Sequence, residues 1–294
     1  MATPASVADV TRPDKLLWAD LAITKRDYVD YLAAVAGAMV PWLRGRPLTV
    51  VRAPDGVGGK RYFQKAVSSY APPWVRTVTI PAPSAGRDVP YVVCDDVRTL
   101  TWLGNQASLE LHPAPVRRDR LDRPDLLVVD IDPPEGAFDA GVAVAISVLE
   151  VLDDLRMPAG VKTTGGKGLH VVVPIERRLE PETLRAAASS LASIVAERVP
   201  DLVTVEFRKA DRDGRVLLDP SRNGTGATIV APYSPRARSE GTVSFPVPAA
   251  SLAEIDPGDY TLRTVPGLLD GDGPRRWATL EGERVRIPAR LLDG

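Results

Sequence analysis

The segment LLVVDIDPPEG, residues 126–136, limits the fold more than any other stretch of the chain. Its leading apolar residues read as a buried strand, and Pro133 and Pro134 end that strand in a turn. Strand geometry sends residues i and i+2 to one face, so Asp130 and Asp132 point the same way while Ile131 points into the core. Their Cβ atoms then stand roughly 6–7 Å apart, close enough to share a divalent ion. Like charges at that spacing repel, and a hard cation is the usual compensation. The pair also falls at the carboxyl end of its strand, where α/β sheets place ligands. The bland alternative is two solvated acids at a strand end.

Around this strand the chain is cut into short elements by 28 prolines and 23 glycines. Thr24 reads as the N-cap of a helix running to about Pro41, with Val29, Leu32, Ala33 and Ala36 at helical spacing. LTVVR (48–52) and RYFQK (61–65) read as strands joined by the Gly-rich turn PDGVGG, and VPYVV (89–93) as another. Asp95 or Asp96 caps a helix through Ala107. After the acidic strand come a helix from about Phe138 to Leu155, a strand GLHVVV (168–173) and a helix from about Pro181 to Val199. VTVEF (203–207) and RVLLD (215–219) look like a hairpin around KADRDG, followed by ATIVAPYS (227–234). Beyond Ala250 the Pro/Gly/Asp-rich tail shows few clear elements. Strands alternating with helices indicate an α/β or α+β layered domain with a central mixed sheet flanked by helices.

Composition excludes several classes. At 44% hydrophobic and 26% charged, the chain is neither disordered, collagenous nor a coiled coil. No apolar run approaches the ~20 residues of a membrane helix, because Gly37 and Pro41 interrupt the longest candidate, Tyr31 to Leu43. MATPASVADVT lacks a basic n-region and an apolar core, so a soluble, cytoplasmic protein with no membrane partner is expected. Cys94 is the only cysteine, which rules out an intrachain disulfide and a cysteine-based zinc site. The net charge of −1 is unlike a simple nucleic-acid binder, but its distribution is uneven. Between Arg44 and Arg76 seven positive residues face one acid, Asp55, and Ser221 to Arg238 holds three arginines and no acid. Such stretches suit a groove for a polyanion, although a charge run is more often a solvated face.

Three further segments carry candidate chemistry. RVLLD ends in Asp219, a third acid after a short apolar strand; three acids at strand ends can hold two metal ions about 3.5–4 Å apart. KTTGGKGLHVVV (162–173) is not a P-loop, since it lacks the required spacing and leads into a strand. Gly165, Gly166 and Gly168 let backbone N–H groups approach phosphate oxygens, Lys167 adds charge, and Thr163 or Thr164 adds hydroxyl donors. His170 lies on the following strand, within reach of a phosphate or a sugar. In APYSPRARSE, Arg236 and Arg238 alternate, so two guanidinium forks can face one triphosphate.

In this order the segments resemble the polymerase domain of bacterial DNA ligase D, in the archaeo-eukaryotic primase superfamily. VVDIDPPEG is similar to that family's D-x-D metal motif, KTTGGKGLHVVVP to its second motif, and RVLLDPSRNGTGATIVAPYSPRAR to its third. RPDKLLW, TKRDYVDYLAAVAGAMVPWLRGRPLTVVRAPDGV, FQK, APPW and SLELHP have counterparts too, so the likeness runs from about Val10 to Pro248. Three positions depart from the pattern: Pro220 stands where an aromatic is common, Thr-Thr-Gly-Gly replaces Thr-Ser-Gly-Ser, and Thr225 replaces a basic residue.

The resemblance implies a two-lobed catalytic core in one primase-polymerase domain: an N-terminal lobe over about 1–120, a motif-bearing core over about 121–250 and a tail over 251–294. It implies manganese or magnesium, two ions per site, on Asp130, Asp132 and Asp219, and an incoming nucleotide lined by His112, Thr164, Lys167, His170, Arg236 and Arg238. Lys15 and Lys25 match lysines for a recessed 5′-phosphate, Phe63 an aromatic against the template base, and Arg212 a loop arginine that helps bring ends and primer together. The activity implied is template-dependent addition of rNTPs or dNTPs to a primer 3′-end, filling gaps in bacterial end joining on gapped or recessed DNA. Ku and a separate DNA ligase are the partners expected with it, since the sequence holds no ligase or phosphoesterase segment and looks stand-alone. Two other readings are a non-catalytic DNA-end binding module and, through D-x-D, a nucleotide-sugar transferase.

Overall fold

The computed structural model describes residues 9–82, 86–280 and 282–292, so the leading segment up to residue 8 lies outside the described residues. The chain divides into two compact units. The first takes Met1–Asp119, Thr228–Ser244 and Tyr260–Leu269; the second takes Arg120–Ala227, Phe245–Asp259 and Asp270–Gly294.

In the first unit, β1 (Leu16–Trp18) and β2 (Ile23–Thr24) form a small antiparallel pair that leads into α1 (Lys25–Leu43). Thr24 starts that helix with a capping box: its Oγ1 accepts from the Asp27 N–H and its own N–H donates to the Asp27 carboxylate. The sheet contains β3 (Pro47–Arg52), β4 (Tyr62–Gln64), β5 (Thr77–Ala82), β6 (Arg87–Val93) and, after α2 (Val97–Asn105), β7 (Ser108–Pro113). β3 is central, with β7 antiparallel along it and β4 and β6 pairing with its two ends. Asp96, of the two candidates, is the N-cap of α2. Tyr28, Leu32, Val35 and Met39 form the fully buried stripe of α1, and the Tyr28 hydroxyl donates to the Ser108 carbonyl to pin the helix to β7.

The second unit is built on a six-stranded sheet. Its strands are β8 (Leu126–Asp132), β9 (Gly160–Thr163), β10 (Leu169–Pro174), β11 (Val203–Thr204), β12 (Val216–Asp219) and β13 (Pro246–Val247), in the spatial order β11-β12-β8-β10-β9-β13. Helices α3 (Phe138–Asp154) and α4 (Pro181–Arg198) pack on this sheet and on each other. A mixed α/β fold of helices on sheets is therefore what the chain adopts. None of the described helices is long and apolar enough to cross a membrane.

The structure corrects two local readings. The segments around KADRDG are not a hairpin: β11 and β12 pair in parallel, Val203 opposite Val216 and Thr204 opposite Leu217. Residues 205–215 are long enough to carry the chain back to the same end, and they fold as a loop with a 3-10 turn at Lys209–Asp211. The tail also holds a helix, α5 (Asp272–Leu280), whose Trp277 and Leu280 are buried against β9.

Candidate active site

β8 supplies the first two acids as its alternation dictates. Ile131 is fully buried, while Asp130 and Asp132 share the opposite face. Cross-strand register extends that face sideways. Asp219 on β12 and His170 on β10 both lie opposite Asp130, and Lys162 on β9 lies opposite His170. One row across four strands thus reads Lys162, His170, Asp130, Asp219, with Asp132 two residues further along β8.

The chain places a cation or donor on each acid. Arg222 donates from Nε to Asp130 Oδ2 at 2.8 Å, and His170 Nε2 stands 3.3 Å from Asp130 Oδ1. Lys167 and Arg212 flank Asp132 at 2.9 and 3.0 Å. Asp219 accepts from both the N–H and the hydroxyl of Ser221 at 2.8 Å. Among the described residues, no three His, Cys, Asp or Glu side chains are gathered as a ready metal-binding group. The donor set nonetheless fits a hard divalent cation, because it offers three carboxylates on one face of two adjacent strands. Arg222 marks where positive charge is wanted: burial works against its guanidinium, yet Asp130, Asp219 and Asp132, in that order, raise its pKa.

Local folding explains why Arg222 reaches this point. Asp219 caps a 3-10 turn at Pro220–Asn223, and the fully buried Asn223 pairs with β8 like a short strand. Its Oδ1 accepts from Val128 N and its Nδ2 donates to Val128 O, both at 2.8 Å. The turn is fixed at both ends, so Arg222 is held over Asp130.

Titration follows from these contacts. Burial penalises the Asp130 carboxylate, but His170 and Arg222 hold its pKa well below the usual range. Burial first and Lys162 second push the His170 imidazole down to about 4, against the pull of Asp130. His170 is therefore neutral at pH 7, and its buried Nδ1 finds no hydrogen-bond partner among the described residues.

The Gly-rich segment does something other than expected of it. The N–H groups of Gly166 and Gly168 both donate to Thr164 Oγ1 at 3.3 Å, so they are turned inward. A Cβ on Gly168 would stand 2.4 Å from the Ile131 carbonyl oxygen; its lack of a side chain lets the loop lie against β8. Lys167 projects from this loop and also donates to the Pro133 carbonyl at 2.6 Å.

A second group of candidates belongs to the first unit. Phe63, Glu110 and His112 share one face of its sheet, since Phe63 and Glu110 both lie opposite Val51 and His112 follows Glu110 by two. Phe63 is 63% exposed and its ring centroid is 6.3 Å from that of His112. Glu110 organises this face: Oε2 lies 2.8 Å from His112 Nε2 and 3.1 Å from Arg236 Nε, and Oε1 accepts from the Ala237 N–H at 2.9 Å. Burial alone would raise the Glu110 carboxyl, but His112, Arg236 and the Ala237 N–H pull it down to about 2. Arg236 is thus committed to Glu110, whereas Arg238 is exposed and its side chain has no partner among the described residues. Lys15 pairs with Asp55 at 2.8 Å, and Lys25 donates to Thr11 Oγ1 at 3.0 Å. Burial, then Lys15, then Arg12 lower the Lys25 pKa.

Glu110 and Arg222 were not singled out by sequence. Their signals were present: Glu110 precedes His112 by two in SLELHP, and Arg222 follows Asp219 by three in DPSR.

Comparison with known proteins identifies the family. The family model described as "LigD, primase-polymerase domain" matches residues 24–275. The multifunctional non-homologous end joining protein LigD of Mycolicibacterium smegmatis is 34% identical over 240 residues, covering 81% of this chain and 31% of that protein. Its namesake from Pseudomonas aeruginosa is 32% identical over 287 residues, covering 96% and 34%. The chain spans about a third of the length of these curated relatives. Among solved structures, the polymerase domain from Mycobacterium tuberculosis ligase D in complex with DNA superposes with a TM-score of 0.84 at 31% identity, covering 93% of this chain and 99% of that one.

Proposed function

The chain belongs to the LigD primase-polymerase domain family, and on that premise we propose that it is a nucleotidyltransferase that extends a primer 3′-end along a DNA template. The substrates are nucleoside triphosphates and gapped or recessed DNA ends with a 5′-phosphate. The setting is gap filling in bacterial non-homologous end joining, beside Ku and a ligase activity. One observation carries the reading: Asp130, Asp132 and Asp219 share a sheet face around the guanidinium of Arg222.

On this reading Asp130, Asp132 and Asp219 hold manganese or magnesium ions. Those ions, when bound, supply the charge that steadies a triphosphate and makes the primer hydroxyl a better nucleophile. The protein's own groups do the positioning. Lys167 and Arg212, now on Asp132, are released toward phosphate oxygens when the acid is neutralised otherwise. Neutral His170, whose Nε2 lies beside Asp130, borders the nucleotide site, and Thr164 keeps the glycine loop folded. In the first unit, His112, Arg236 and Arg238 serve the nucleotide, Phe63 stacks on a template base without regard to its identity, and Lys15 with Lys25 bind the 5′-phosphate. Catalysis is then mostly positioning and charge neutralisation.

Primer extension on gapped DNA with a 5′-phosphate, with manganese present, tests this. Wild-type chain should add nucleotides, and Asp130→Ala or Asp132→Ala should abolish addition. Extension that persists unchanged in both variants would defeat the assignment.

A further inference from the structure

The basic stretch from Arg44 to Arg76 extends well beyond the 5′-phosphate lysines, and part of it lines an open cleft of about 340 Å³ in the first unit. The cleft is formed by Arg44 and Gly45 after α1, Arg76 before β5, Asp95 and Asp96 between β6 and α2, and Arg118 after β7. Backbone bonds fix its walls: the Arg118 N–H donates to the Gly45 carbonyl at 2.7 Å, and Arg117 donates to the Arg44 carbonyl at 3.0 Å.

Both acids in the cleft are already engaged. Asp95 Oδ1 accepts from the Gly45 N–H at 2.7 Å and its Oδ2 pairs with Arg76 at 3.1 Å, while Asp96 Oδ1 accepts from Thr99 N in capping α2. The exposed guanidiniums of Arg44 and Arg118 have no hydrogen bond or ion pair among the described residues. Three guanidiniums, those of Arg44, Arg76 and Arg118, stand against two carboxylates. No apolar side chain lines the cleft, so it offers neither a stacking surface nor the apolar enclosure that a discrete small molecule needs. It selects for charge alone, which suits the backbone of a polyanion.

Its location adds a length. Lys25 is the first residue of α1 and Arg44 its C-cap, nineteen helical residues apart, or about 28 Å of helix. At 3.4 Å per base pair that span matches roughly eight base pairs of duplex. Resting on the DNA reading above, we propose that Arg44, Arg76 and Arg118 form a second phosphodiester site, which holds the DNA backbone about eight base pairs from the 5′-phosphate at Lys15 and Lys25.

The test is fluorescence anisotropy of the full chain with labelled duplex bearing a recessed 5′-phosphate, from about 50 to 200 mM salt. Two arms are compared, one of about sixteen base pairs beyond the phosphate and one of about five. Loss of two phosphate contacts flattens the log–log salt slope by about 1.8. The Arg44→Ala/Arg118→Ala variant should show that change on the long arm and match wild type on the short one. Arg44→Lys/Arg118→Lys, which keeps the charge, should restore most of the slope. Equal slopes for wild type and the alanine variant on the long arm overturn the proposal, as does an equal loss on both arms. A lowered melting temperature with unchanged binding likewise overturns it, by showing that the arginines only offset the C-terminal end of α1. Should the alanine pair not fold, Arg118→Gln alone serves, with half the slope change. Absence of primer extension by wild type would defeat the proposed function and leave this comparison intact; absence of DNA binding by wild type ends both.

Discussion

Glu110 and His112 stand two residues apart on β7, with the carboxylate 2.8 Å from the imidazole on one face of the sheet. The same carboxylate reaches Arg236, so one buried acid orients two of the three groups assigned to the nucleotide in the first unit. Removing one partner from a buried charged cluster costs about 3–5 kcal/mol. Glu110→Ala is expected to lose that much in urea denaturation. Glu110→Gln, which keeps the shape, should mainly raise the KM for nucleotide and spare 5′-phosphate binding at Lys15 and Lys25. A Gln variant with unchanged KM would remove Glu110 from this role.

The depressed pKa of Glu110 makes stability depend on acid. A carboxyl that titrates lower in the folded chain than in the unfolded one binds fewer protons when folded, so its contribution grows with pH. With about 2 folded against 4.5 ordinarily, the contribution is complete above pH 4.5 and drains as pH falls through 2. It amounts to about 3 kcal/mol. The stability gap between wild type and Glu110→Gln should therefore narrow from pH 5 to pH 2, as followed by urea denaturation. A gap that stays constant contradicts the assignment.

Arg222 holds three acids in balance, and Arg222→Gln leaves them facing one another. In chelator the variant is expected to melt several degrees below wild type, because like charges repel where the guanidinium stood. Added manganese should raise its melting temperature by more than it raises that of wild type. Equal shifts in the two proteins would show that the acids do not share an ion.

Gly168 is expected to tolerate no side chain. A Cβ there meets the Ile131 carbonyl oxygen at 2.4 Å, and neither the loop nor β8 can yield without moving Asp130 and Asp132. Overpacking of this kind costs about 1–3 kcal/mol. Gly168→Ala should show that loss in denaturation together with reduced primer extension, whereas Gly58→Ala, which meets nothing within 4 Å, should show neither.

Much of the acidic site was legible because it depends on alternation. Asp130 and Asp132 follow a run of apolar residues, and period two alone puts them on one face. Asp219 was found in the same way. What alternation cannot supply is pairing between distant strands, so the parallel match of β11 with β12 escaped, and KADRDG reads in sequence as a hairpin loop instead of a crossover. Glu110 and Arg222 escaped because their importance lies in their neighbours: a carboxylate becomes an organiser only where folding brings His112 and Arg236 to it. α5 was missed because Pro274 and two glycines mask a stripe of Trp277 and Leu280. The glycine loop misled for a different reason. Its residues suggested a phosphate cradle, yet two of its N–H groups are spent on Thr164 and its third glycine on a tight approach to β8.

Residues 229–237 run along the outer edge of β7, with Ile229 N bonded to Pro113 O, Ala231 N to Leu111 O and Leu111 N to the Ser234 hydroxyl. Tyr31 of α1 donates to the Tyr233 carbonyl as well. A ribosome that has released only the first 119 residues has therefore delivered β7 with its outer edge unpaired, and the strip that pairs it emerges only after most of the second unit. At about 5–20 residues per second the wait is on the order of ten seconds. During that interval the outer edge of β7 stays unpaired, so a fragment ending between Pro113 and Ile229 is expected to self-associate where the whole chain does not, which light scattering of the two would show.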